Sequence, residues 1–323
     1  MRRKPFRDED MNSSKPETSV SRSAERYSSQ SKLDDRPPLL PALSCDCHIH
    51  ILGPEAHYKF SEERQYTPME ALVPDAVNML SGLGCTRAVI VQPSVYGTNN
   101  SCTFNAIEQL PISARAVIVI PADILPGKLQ ILHEKGARGI RFNGTHWSAD
   151  NLENQFSAYS KLFESMKGFK WHVECYIGAQ THSVLPRLVE KSQLDLVLDH
   201  FGGPMGRDES IENRMSALDQ LINTGRIWIK ISGYYRLKAG EKDPHTYSLL
   251  MEHLITHHAH RLIWGSDWPH TPDRQDRPQT INTRLPFQAI DTYGSLALLL
   301  QHIGDQNAVD RIFVKNPEEI YQF

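Results

Sequence analysis

From Ser44 onward, short β-branched apolar runs alternate with longer stretches of helical periodicity, the pattern that βα units around a parallel sheet produce. Eight runs are readable: DCHIHIL after Cys45, RAVIVQ from Arg87, ARAVIVI from Ala114, RGIRF from Arg138, KWHVECYI from Lys170, LDLVLDH from Leu194, RIWIKIS from Arg226 and RLIWGSD from Arg261. Helical patterns fall between them at 151–167, 181–191, 210–223 and 245–258. Count and order predict an α/β fold, a (β/α)8 TIM barrel over residues 44–323. A doubly wound open sheet is the alternative, but no G-x-G-x-x-G follows a strand to support nucleotide binding. Ahead of the barrel, Met1 to about Leu40 is rich in Ser, Pro and charge and lacks apolar periodicity. It cannot bury enough surface to offset its ordering entropy, so residues 1–43 are expected to form a disordered tail.

A barrel predicts where chemistry belongs, because active sites in such folds sit at the carboxyl ends of the strands. Those ends carry His48 and His50, Gln92 and Ser94 with Tyr96, Arg141 with Asn143, Tyr176, Asp199 with His200, Lys230 with Ser232, and Asp267 with His270. In CDCHIHILGP the period of two puts His48 and His50 on one face, and for Asp46, which precedes the pair, a structural hydrogen bond is the expected role. Two imidazoles on one face suit a metal or a substrate oxygen. Asp267, in WGSDWPH, is the candidate general base, able to take a proton from water attacking a carbonyl; a turn cap is its structural alternative. His200, ahead of Gly-Gly-Pro, is expected to polarise that carbonyl or bind a metal. Arg141 is expected to clamp a substrate carboxylate, with an ion pair at the barrel rim as the alternative. Tyr176, Tyr96, Ser94 and His270 complete the expected substrate contacts. His253, His257, His258 and His260 lie on a helical pattern remote from the strand ends and read as surface or packing residues. His172, early in its strand, reads as an interior residue.

Composition narrows the function further. The 323-residue chain is 40% hydrophobic, enough for one large core, and its formal net charge of −3 gives no reason to expect nucleic acid or an anionic membrane as partner. No run of about 18 apolar residues is present to span a bilayer. Five cysteines, odd in number and set in apolar surroundings, fit reduced thiols, and a cytoplasmic address is the expectation. Oligomeric state stays open.

Together DCHIHILGP, VQPSVYGTNNSC from Val91, RGIRFN, WHVECY, LDHFGGP, WGSDWPH and the closing NPEEIYQF resemble the amidohydrolase superfamily, in the branch that contains 2-pyrone-4,6-dicarboxylate hydrolase and sugar-lactone hydrolases. The resemblance runs from about Ser44 to Phe323. It implies a distorted barrel in which His48, His50, His200 and Asp267 surround the hydrolysed carbonyl. In metal-dependent relatives the first-strand histidines and the last-strand Asp bind a divalent ion with a further ligand from the fifth strand. Here Tyr176 stands at that fifth-strand position, as in the pyrone branch, where a metal is not obligatory. The implied cofactor is therefore at most one divalent metal, zinc or manganese, held by His48, His50 and Asp267, with a metal-free site as the alternative. Relatives that bind a dicarboxylate use more than one arginine. This chain keeps Arg141, and a second cation has to come from Arg236 or Lys230. The expected activity is hydrolysis of a lactone or pyrone of a small organic acid by Asp267-activated water. The alternatives are a metal-dependent decarboxylase or C–C hydrolase acting on an acidic aromatic-pathway intermediate, and a catalytically silent binding barrel.

Overall fold

The structure, a computed structural model, describes residues 39–125, 127–206, 208–237, 244–272, 281 and 283–323. Up to residue 38, the tail expected over 1–43 lies outside the described residues. All eight apolar runs are strands: β1 (Cys45–Ile49), β2 (Arg87–Val91), β3 (Ser113–Ile118), β4 (Ala137–Gly144), β5 (His172–Ile177), β6 (Leu196–Leu198), β7 (Ile227–Ile231) and β8 (Leu262–Trp264). Each pairs in parallel with the next in sequence order. The two ends of this sheet meet just beyond β8, through a parallel bridge between Ile49 and Trp268. There the His50 N–H donates to Trp268 O at 2.8 Å and the Asp267 N–H donates to His48 O at 2.9 Å. The expected TIM barrel is therefore present, distorted at a seam that is a bridge rather than a full ladder.

Helices occupy the expected intervals, with two differences. The pattern at 151–167 forms two helices, Ala149–Ala158 and Ser160–Lys167, because the chain turns at Tyr159, whose hydroxyl is tied to Ile120 O at 2.8 Å. The pattern at 181–191 opens as a 3₁₀ turn, Ala179–Val184, and becomes α-helical at Leu185–Ser192, where Pro186 supplies a pre-set first turn. Ser148, Ser210 and Asp291 cap their helices by accepting a backbone N–H. No helix among the described residues is long and apolar enough to cross a membrane.

Strand alternation divides the core in two. Ala88, Ile90, Ala116, Ile118, Val173, Cys175 and Ile177 face out and join one cluster with helix residues such as Leu152 and Phe163. Val89, Val91, Val117, Val197, Trp228 and Ile263 face in, with Cys45 and Cys47, and Ile320 and Tyr321 of the last helix pack against them. The interior floor is thus apolar. In β1, Asp46 pairs with Ala88 but Ile49 pairs with Ile90, so one extra residue is accommodated in a bulge. That bulge changes which positions face in. Cys45 and Cys47 join the apolar floor, while His48 and His50 from the same strand reach the site above it.

Candidate active site

Above the floor lies a buried layer of charge. Lys230 on β7 donates to Glu174 Oε2 on β5 at 2.6 Å and lies 3.2 Å from Asp199 Oδ1 just after β6. Arg141 on β4 donates to Asp199 Oδ2 at 3.0 Å and to Gln92 O at 3.4 Å, and its Nε is 3.9 Å from Glu174. Arg141 therefore faces the interior carboxylates and makes the ion pair that was the alternative to a substrate clamp, while its Nε keeps no hydrogen-bond partner. Burial and the neighbouring Asp199 push the Glu174 carboxyl up to about 7, against the pull of Lys230 and Arg141. Glu174 had escaped the sequence reading. Its signal was present, since it lies between inward-facing His172 and Tyr176 at period two.

On this layer sit the histidines. His48 and His50 bring their Nε2 atoms to 3.3 Å, and His200 packs its ring 4.9 Å from that of His48. His50 Nδ1 lies 2.7 Å from Val91 O. A carbonyl only accepts, so the proton belongs on Nδ1, and Nε2 offers a lone pair. In this tautomer His50 accepts at Nε2 and has no donor left to direct at a substrate oxygen. His48 Nδ1 lies 3.3 Å from Lys230 Nζ, so a charged Lys230 donates to it and His48 Nε2–H donates on to His50. Burial lowers both imidazoles, His50 to about 3. His200, held at about 4 mainly by burial, contacts Ser232 Oγ through Nδ1 at 2.9 Å.

Asp267 faces all three imidazoles. Its Oδ2 accepts from Tyr235 Oη at 2.7 Å and Arg236 Nε at 2.5 Å, while Oδ1 has no hydrogen-bond partner and lies 3.7 and 3.8 Å from the Nε2 atoms of His48 and His50. Burial would raise its pKa, but Arg236, His200, His48 and His50 hold the carboxyl well below the usual range. Asp267 is thus a fixed carboxylate with one open oxygen. Arg236 supplies the second arginine that the strand ends lacked, carried by a 3₁₀ turn, Tyr234–Arg236, with Gly233 before it. Gly233 has φ of +51°, and a Cβ there would stand 2.8 Å from His200 Nδ1 and 2.9 Å from Asp267 Oδ2. His200, Asp267 and His270 also adopt positive φ, at 52°, 62° and 68°, a costly conformation for residues with side chains and one that clusters at functional sites.

The remaining candidates divide. Tyr176 is half-buried, its ring edge-on to His200 at 4.7 Å. His270 is enclosed, with Nδ1 3.1 Å from Tyr235 Oη and Nε2 2.8 Å from Thr292 Oγ1, so it braces Tyr235. Tyr96 accepts the Gly53 N–H at 2.8 Å and thereby holds the loop after β1. Ser94 is exposed on a 3₁₀ turn and makes no contact described with the histidines. Asp46 accepts from the N–H groups of His48 and Ser266, at 3.1 and 2.9 Å, stapling the seam. Behind His200, the fully buried Arg214 donates to the carbonyls of Phe201, Gly202, Gly203 and Pro204 and so fixes that loop.

A family model described as Amidohydrolase matches residues 45–323. This chain belongs to the amidohydrolase family. Over 289 residues it is 28% identical to 4-sulfomuconolactone hydrolase of Hydrogenophaga intermedia, covering 88% of this chain and 90% of that one. It is 27% identical to 2-pyrone-4,6-dicarboxylate hydrolase of Comamonas testosteroni, covering 87% and 91%. Among solved structures, a probable 2-pyrone-4,6-dicarboxylic acid hydrolase from Acinetobacter baumannii with citric acid bound superposes with a TM-score of 0.71 at 26% identity, over 87% of this chain and all of that one. The relatives are thus named as hydrolases of lactones and pyrones.

A divalent ion, which amidohydrolases can use, is tested here by the donor set. Two nitrogens bound at the usual zinc distance in a tetrahedral site lie about 3.3 Å apart, the separation of His48 and His50 Nε2. Asp267 Oδ1 is an open carboxylate oxygen beside them, and ligand atoms of His48, His200 and Asp267 lie within 4.8 Å of one another. For His48 to offer a lone pair at Nε2, its proton must move to Nδ1. There Asp199 Oδ1, 3.3 Å away and without a hydrogen bond, is placed to accept it. The residues fit.

Proposed function

We propose that this amidohydrolase-family protein hydrolyses a cyclic ester, a lactone or pyrone of a small organic acid, with Asp267 as general base. The observation that carries the reading is the open Oδ1 of a buried carboxylate, facing two imidazoles at 3.7 and 3.8 Å. Water bound at Oδ1 loses a proton to Asp267 as its oxygen attacks the ring carbonyl. His200, accepting a hydrogen bond from the Ser232 hydroxyl at Nδ1, directs Nε2–H at the developing oxyanion. The ring C–O bond then breaks, and the proton held by Asp267 passes to the leaving oxygen, giving the open acid. His48 and His50 hold the water side, and Tyr176 beside His200 orients the ring. When a zinc or manganese ion is bound, His48, His50 and Asp267 would hold it, and it would supply Lewis-acid polarisation and a more acidic water.

The acidic class of the substrate rests on the names of the relatives. Within the site Arg141, Lys230 and Arg236 are matched by Glu174, Asp199 and Asp267, so no large excess of positive charge argues for it independently. Five buried free cysteines support a cytoplasmic address. The test is Asp267→Asn assayed on 4-sulfomuconolactone, 2-pyrone-4,6-dicarboxylate and a sugar-lactone panel. Loss of about 10²–10⁴-fold in kcat is expected for a removed general base. Retention of wild-type turnover would overturn the assignment, as would release of carbon dioxide in place of water uptake.

A further inference from the structure

A second group of imidazoles surrounds a carboxylate on the outside of the barrel, away from the strand ends. His253 and His258, on the Pro244–His258 helix, each bring Nε2 to 2.7 Å from the same oxygen, Oδ1 of Asp219, on the Ile211–Ile222 helix. The three ligand atoms lie within 4.8 Å of one another. His257 packs its ring 4.9 Å from His253, and His260 stands 6.3 Å from His258. We propose that Asp219, His253 and His258 form a binding site for a first-row divalent cation, zinc being the best fit, which joins the two helices.

Three observations carry the proposal. Two imidazoles converging through the same atom on one carboxylate make a mixed nitrogen and oxygen donor set, which favours zinc, copper or nickel over calcium or magnesium. No net proton release is needed. Each imidazole donates from Nε2 in the free state, and moving that proton to Nδ1 turns Nε2 into a lone-pair donor. Each imidazole nitrogen stands closer to the carboxylate oxygen, at 2.7 Å, than the roughly 3.3 Å of a tetrahedral site, so small side-chain rotations on two facing helices admit the ion. Access is graded: the His258 side chain is 8% exposed, His253 21% and Asp219 35%, so an ion enters from the carboxylate side and keeps water as its remaining ligand.

The experiment uses the full chain without a polyhistidine tag, stripped with a chelator, desalted and titrated with zinc against a chromophoric competitor. Wild type is compared with His253→Gln, His258→Gln and Asp219→Asn. Each variant is expected to bind one zinc fewer per chain than wild type, whatever the catalytic histidines hold, and to lose a zinc-dependent rise in Tm of several degrees. Lactone hydrolysis by the variants should match wild type, which also certifies that they fold. A cobalt titration gives an independent reading: tetrahedral absorption present in wild type and reduced in His253→Gln, the more exposed histidine. Equal zinc stoichiometry in wild type and all variants, or an unchanged cobalt spectrum, would overturn the proposal.

Discussion

Two places in this protein set imidazoles around one aspartate, and burial makes them different objects. At Asp219 the carboxylate and His253 are partly exposed while His258 is buried, and both imidazoles donate to a single oxygen. Those hydrogen bonds lower the carboxyl against the opposing effect of burial, and water remains free to solvate the rest. At Asp267 the side chain is fully buried, Arg236 and Tyr235 occupy one oxygen, and the other faces imidazoles that burial keeps neutral. The same residue types give a surface clamp in one case and an unsatisfied, directional base in the other. The proposed reactivity of Asp267 rests on what is left unpaired after burial, not on the presence of histidine.

The sharpest way to break this contrast is to truncate one histidine in each group. His50→Gln should lower kcat by about 10²-fold or more, as expected for a group that positions the attacking water, while His258→Gln should leave it unchanged. Equal effects in a steady-state assay would erase the distinction.

Acid should act on the buried group first. Burial lowers His48, His50, His172, His182, His200 and His270, His50 and His172 to about 3 and His182, His200 and His270 to about 4, whereas an unfolded histidine titrates near about 6.5. Between those limits the unfolded chain binds protons that the folded chain refuses, so stability falls as pH drops from about 6.5 towards 4. Asp46 and Glu174, raised to about 6 and 7, work in the opposite direction, but six imidazoles outweigh two carboxyls. Urea midpoints measured across this range should decline steadily towards the acid end; a flat profile would refute the buried neutral histidines.

Arg236→Met sharpens the contrast from the carboxylate side. Among the charges it is the first that holds the Asp267 carboxyl down, so its loss should raise that pKa and move the acid limb of kcat/KM upward by about one unit or more. Smallest of all, Asp219→Asn without metal should shift stability by less than about 1 kcal/mol, the range of exposed ion pairs, measured by denaturant melts.

Much of the barrel was legible because strand and helix periods differ, and all eight runs stood out as apolar segments with polar ends. The His48 and His50 pair and Asp267 were legible for the same reason: each is a polar residue placed where a strand must stop. What the sequence hid was tertiary. Arg141 looked available until folding set it against Asp199, 58 positions away. Arg236 and Tyr235 arrive on a short 3₁₀ turn whose motif, GYYR, carries no periodicity. The bulge in β1 leaves no mark in CDCHIH, and the acceptor role of His50 depends on Val91 O, a backbone atom no motif encodes.

The seam of the barrel has a wider consequence. The bonds that join first strand to last are His50 N–H to Trp268 O and Asp267 N–H to His48 O, stapled by Asp46. The residues proposed for the chemistry therefore also lock the ring of strands shut. Substrate or ion bound there acts as a rivet, and amide exchange at His50 and Asp267 should slow when the site is filled. In this protein a screen for lost activity and a screen for lost durability would return overlapping sets of residues.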